Sequence, residues 1–128
     1  MAKTKGKTVT GNTATISAQL IRDAANISEL DDWGPCPEAT GAQMDTRGRY
    51  LWKDQNGTDS GIWECTAGPS RWVLETNEFV HVLSGSMTVT ADGEEPKLVG
   101  PGDTLFIPRG WSGNWEIHET LRKLYVIF

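Results

Sequence analysis

Few side chains in this sequence could do chemistry, and Glu78 comes first among them. It opens the run EFVHVL. Alternate side chains on a strand share a face, so an inward Glu78 takes Val80 and Val82 with it and turns His81 out. A carboxylate inside a core is costly unless it is paired or its pKa is shifted. Glu78 is therefore the candidate catalytic residue, a general acid/base, or else an anchor for a cationic or hydroxyl-bearing ligand. Its plainer role is an internal ion pair, with Arg71 or Lys123 as partner. Arg71 could itself grip a carboxylate or phosphate through its planar fork, or lie exposed on a strand edge. Trp111 and Trp115 offer an aromatic wall for a sugar, a planar ring or an ammonium group, or simply fill the interior. Lys123 and Tyr125 share one face of the final strand. Arg71, Trp111, Trp115, Lys123 and Tyr125 are thus the candidate substrate-binding residues around Glu78. Exchanging Glu78 for Gln is expected to spare the fold and abolish binding.

The remaining reactive types are sparse. His81 and His118 stand alone, outside any motif, and read as structural or exposed. Cys36 and Cys65 form no CxxC pair, no disulfide framework and no zinc motif. They read as thiols packed as small apolar groups, with a nucleophile as the alternative. Asp103, after Gly102, is expected to organise its own turn.

The elements that must position these residues are strands. Of the Leu, Ile, Val and Phe residues, seven lie before residue 61 and nineteen after it, so the second half must hold the core. Six Trp, 14 Gly and abundant Thr favour a β-rich, turn-rich chain over a helical bundle. Strands are expected at 48–53, 61–67, 79–85, 86–91, 97–100, 104–108, 114–118 and 121–128, separated by Asn56-Gly57, Ser84-Gly85, Asp92-Gly93, Pro101-Gly102 and Pro108-Arg109-Gly110. Such short, evenly spaced strands imply a sandwich or barrel. Leu121 and Ile127 lie on one face of the last strand, Leu124, Val126 and Phe128 on the other, and periodicity does not choose the inner one. Two apolar faces also hint at a dimer interface. Residues 1–45 read as an arm packing on the barrel or on a partner, and 46–128 as a single domain. Within the arm, 16–27 suggests a short helix or a turn. The segment 31–41, with its two prolines and Gly34, should be irregular, and Trp33 should act there as a lid or anchor on the core.

A net charge of −5, without a basic stripe, argues against nucleic acid. No apolar stretch approaches the ~20 residues of a membrane span, so no membrane partner and a cytoplasmic location are expected.

The order of turns resembles the two signature motifs of the cupin superfamily, small double-sheet jelly rolls. Glu78, FVHVLS and Gly85 match the end of the first motif. Gly102, DTLFI, Pro108-Arg109-Gly110 and Trp111-Ser112 match the second. The positions of the two histidines of the first motif hold Arg71 and Val73, or Trp72 and Leu74, and that of the second holds Gly113. Of the usual three-histidine, one-glutamate metal set, only Glu78 is present, and a transition metal needs three or four donors at ~2 Å. Residues 61–128, with GIWECTAG, NEFVHVLSG, VGPGDTLFIPRGWSGNWEIHE and LRKLYVIF, look like the small bacterial cupins of the ethanolamine-utilisation and ureidoglycine-aminohydrolase type. The resemblance implies an all-β cupin jelly-roll barrel and places Trp111 and Trp115 at the mouth where cupin ligands bind. Together these observations lead to a metal-independent cupin without cofactor, enzymatic and non-enzymatic roles both being open, that binds a sugar, amino acid or amine around Glu78 and forms a homodimer. The alternatives are a filled barrel acting as an interaction module and a metalloenzyme with atypical ligands.

Overall fold

The computed structural model describes residues 17–128. Their regular structure is entirely β. Eight strands follow one another: β1 (Asp31–Pro35), β2 (Asp45–Lys53), β3 (Asp59–Cys65), β4 (Gly68–Val73), β5 (Glu78–Ala91), β6 (Lys97–Val99), β7 (Thr104–Ile107) and β8 (Ser112–Ile127). They pair antiparallel in the order β1-β2-β3-β8-β5-β6, with β4 on β8 and β7 on β5. Two long strands, β5 and β8, form the spine: β3 and β4 pair with β8, and β6 and β7 with β5. This is the all-β jelly-roll architecture that the turn pattern implies.

The spine is longer than the sequence suggests. Ser84-Gly85 does not end a strand. Register shifts there let β5 bend while it stays paired with β8. Gly85 has φ 82°, and a Cβ on it would lie 2.1 Å from the Thr120 carbonyl oxygen, so only glycine fits. In the same way 114–118 and 121–128 are one strand rather than two.

The N-terminal segment also differs from expectation. Residues 31–35, expected to be irregular, form the edge strand β1, hydrogen-bonded to β2. An edge tolerates Pro35, and a register shift between Asp32 and Gly34 absorbs the glycine. Of the helix and turn alternatives for 16–27, the described residues take the turn, closed by the Asn26 N–H to the Asp23 carbonyl at 2.9 Å. Asp23 sits at φ 54°, outside helical geometry. Ile16 and the residues before it lie outside the described residues. The turn is tied to the barrel by Arg122, whose guanidinium donates to the carbonyls of Ala24 (3.1 Å) and Ile27 (2.8 Å).

Inside, Val80, Val82, Met87, Ile117 and Leu121 are fully buried. The alternation expected of β5 holds, with Glu78, Val80 and Val82 buried together. On β8 the inner face is that of Leu121, Lys123 and Tyr125. Arg122, on the opposite face, is also buried, beneath the turn it holds. Asp103 closes its turn as expected, accepting the Gly100 N–H at 2.8 Å.

Candidate functional site

Glu78 and Lys123 are carried by the two spine strands. Lys123 stands opposite Val82 in the β5–β8 register, and its long side chain reaches back to Glu78. The ammonium lies 2.6 Å from Glu78 Oε2, with the Lys123 and Glu78 side chains only 4% and 7% exposed. Aromatic faces complete the ammonium's surroundings: Nζ is 4.5 Å from the Trp63 ring centroid and 4.7 Å from that of Trp115. Removing two charges from water is expensive. Here the carboxylate and the negative faces of the indoles replace the lost solvation.

Tyr125, two residues along β8, donates its hydroxyl to Asp59 Oδ1 at 2.9 Å. Burial, and then this bond, push the phenol well above its usual range, so it stays a donor at neutral pH. Trp115 is fully buried and stacks on Trp72 with centroids 4.5 Å apart. Among the described residues its indole N–H finds no hydrogen-bond partner.

Above this floor lies a cavity of about 180 Å³, lined by Asp59, Glu78, Lys123 and Tyr125 and walled by Trp33, Tyr50, Trp63 and Trp72. The same four rings also line an adjoining hollow of about 420 Å³, which includes Cys36, Glu38 and Thr46. Trp33 belongs to both because β1 folds it across β2, where its ring meets Tyr50 with centroids 4.8 Å apart. Gly48 makes that possible: a Cβ there would lie 2.2 Å from the Trp33 ring.

Of the candidate residues, Glu78, Lys123 and Tyr125 thus meet at one cavity; Trp115, expected at the mouth, is instead fully buried behind the ammonium and lines neither hollow. Arg71 and Trp111 do not join them. Arg71 is exposed and forks onto Asp92, at 2.6 and 2.7 Å. Trp111 is half-buried against the core and lines neither hollow. Trp33, Tyr50, Asp59, Trp63 and Trp72 complete the walls and were not singled out for binding by sequence reasoning. Asp59 falls in a polar stretch that signals a turn, and only the β3–β8 register shows that Trp63 faces Lys123.

The two thiols are buried and free. Burial raises both above the ordinary thiol value, Cys65 to about 12, so neither is a ready nucleophile at neutral pH.

The cupin motifs imply a metal, and the residues do not fit one. Among the described residues no three His, Cys, Asp or Glu side chains converge on a point. Gly113 offers no donor, Arg71 points to Asp92, and Glu78 is already engaged by an ammonium. The Lys123 ammonium is the cation that Glu78 faces.

Comparison with known proteins agrees with this architecture. The EutQ-like cupin domain matches residues 53–125. A Pseudomonas syringae pv. tomato protein of unknown function, from the DUF861 family, superposes with a TM-score of 0.72 at 19% identity, over 80% of this chain and 45% of that one. This chain therefore spans less than half the length of the Pseudomonas protein. The EutQ protein of Clostridium difficile gives a TM-score of 0.58 at 21% identity, over 66% of this chain and 68% of that one. A protein described as ethanolamine utilisation protein Q, from Salmonella typhimurium, gives 0.61 at 26%, over 74% and 76%. No curated protein matches. With the match spanning most of β3 to β8 and the jelly-roll topology behind it, the chain belongs to the EutQ-like cupin family.

Proposed function

We propose that this cupin binds a small polar metabolite, of the sugar, amino acid or amine type, in the aromatic cavity above Glu78, without a metal. One observation carries the reading: the barrel retains a cavity of about 180 Å³ whose floor is a buried ion pair and whose walls are aromatic. Ligand sites are typically mostly apolar with a few convergent polar groups, and the adjoining hollow of about 420 Å³ has their usual size. A barrel plugged by its own side chains would favour an interaction module instead. The role is binding before catalysis, because the Glu78 carboxylate is held as the partner of the Lys123 ammonium. A homodimer completes the proposal, formed through the exposed aromatic face of β5, β7 and β8.

The test is a thermal-shift and calorimetric survey of sugars, amino acids and amines on the whole chain. A ligand at 100 times its Kd should add about 2.7 kcal/mol of stability, a rise of several degrees in Tm. Trp33→Ala should weaken the same ligand about tenfold or more. A survey in which no compound shifts Tm at millimolar concentration would remove the reading.

A further inference from the structure

We propose that the ligand is an organic cation, a short aliphatic ammonium ion. This deepens the binding reading above and rests on it. Three carboxylates lie along the two hollows: Glu78 and Asp59 line the inner one and Glu38 the adjoining one. Glu78 is neutralised by Lys123. The other two are held by uncharged donors, Asp59 by the Tyr125 hydroxyl at 2.9 Å and Glu38 by the Cys36 thiol at 3.5 Å. Negative charge thus remains along a hollow walled by four aromatic rings, and cations are what such rings and carboxylates jointly attract.

The protein's own side chains show the chemistry at work. Lys123 places its ammonium against the Trp63 and Trp115 rings, and Lys53 places its own 4.4 Å from the Tyr50 centroid. Lys53 stands directly across from Asp59 in the β2–β3 register. It is therefore the resident competitor for an incoming amine at the rim. An anionic ligand would be repelled by Asp59 and Glu38, and a neutral polyol would not answer their charge.

Isothermal titration of the whole chain with n-butylammonium chloride, 1-butanol and sodium butyrate separates the cases, since the three share one alkyl chain. The ammonium should bind at least about tenfold more tightly than the alcohol, and butyrate not measurably. Asp59→Asn should weaken the ammonium about tenfold and leave the alcohol unchanged. Lys53→Gln, on the exposed rim, should tighten it severalfold and gives a second readout should Asp59→Asn fail to fold. Equal affinity for ammonium and alcohol, preferred binding of butyrate, or a Lys53→Gln variant that binds butylammonium no better would overturn the inference. Should a sugar or amino acid bind while butylammonium does not, the inference falls and the binding reading survives. Silence across the whole survey takes both down.

Discussion

At the scale of single residues, the Glu78–Lys123 pair makes both partners hard to replace one at a time. Lys123→Met leaves a carboxylate buried without its ammonium, and Glu78→Gln leaves the reverse. Either should cost about 3 kcal/mol, whereas changing both to apolar residues of similar volume should recover most of it. Urea unfolding of the two single variants and the double variant checks this, and single variants with wild-type midpoints would show the pair to be well solvated. The expectation that Glu78→Gln spares the fold is revised accordingly: loss of binding in that variant must be read together with its stability. Glu64 is the second ionic anchor. Burial pushes its carboxyl up, but hydrogen bonds from Arg47 and Arg122 outweigh this and hold it below the ordinary value of 4.5. Since the folded value lies below the unfolded one, its contribution is complete above about pH 4.5 and is lost as pH falls through the folded value. Glu64→Gln should therefore flatten the acid limb of Tm against pH, measured by scanning calorimetry from roughly pH 3 to 6.

Strands decide which of these residues meet. The inward alternation of β5 was legible in the sequence because Glu78 shares its parity with Val80 and Val82. That of β8 was not, since both of its faces are apolar, and the choice is made by pairing: β3 sets Trp63 against Lys123, and the N-terminal turn covers Arg122 instead. The motif-bearing half could be recognised from its turns, yet most of the cavity wall lay hidden. Tyr50 and Trp33 come from β2 and β1, whose association with the site depends on an edge strand written with proline and glycine. Gly48 tests this arrangement. Gly48→Ala puts a methyl 2.2 Å from the Trp33 ring and 2.6 Å from the Ile62 carbonyl oxygen, neither of which can yield without moving β1 or β3. A loss of about 2 kcal/mol in urea unfolding is expected, with weaker binding of any ligand that touches Trp33.

On the outside of the molecule, the alternation that buries Glu78 turns Phe79 to the surface. Phe79 pairs with Phe106 on β7 and with Val126 on β8, and Phe106 lies 6.3 Å from Phe128, centroid to centroid. Phe79, Phe106 and Phe128 are 38%, 53% and 48% exposed. A clustered aromatic face of this kind is where the proposed homodimer would form. Sedimentation velocity should find a dimer that Phe106→Glu converts to a monomer, and a wild-type chain that sediments as a monomer at all micromolar concentrations would remove the dimer from the account. Lys123 carries a different consequence for the molecule as a whole. A charge attached to the backbone cannot be stripped by a chelator, exchanged for a rival ion or withheld in times of metal starvation. The ammonium that answers Glu78 arrives with the polypeptide and is in place as soon as the strands close.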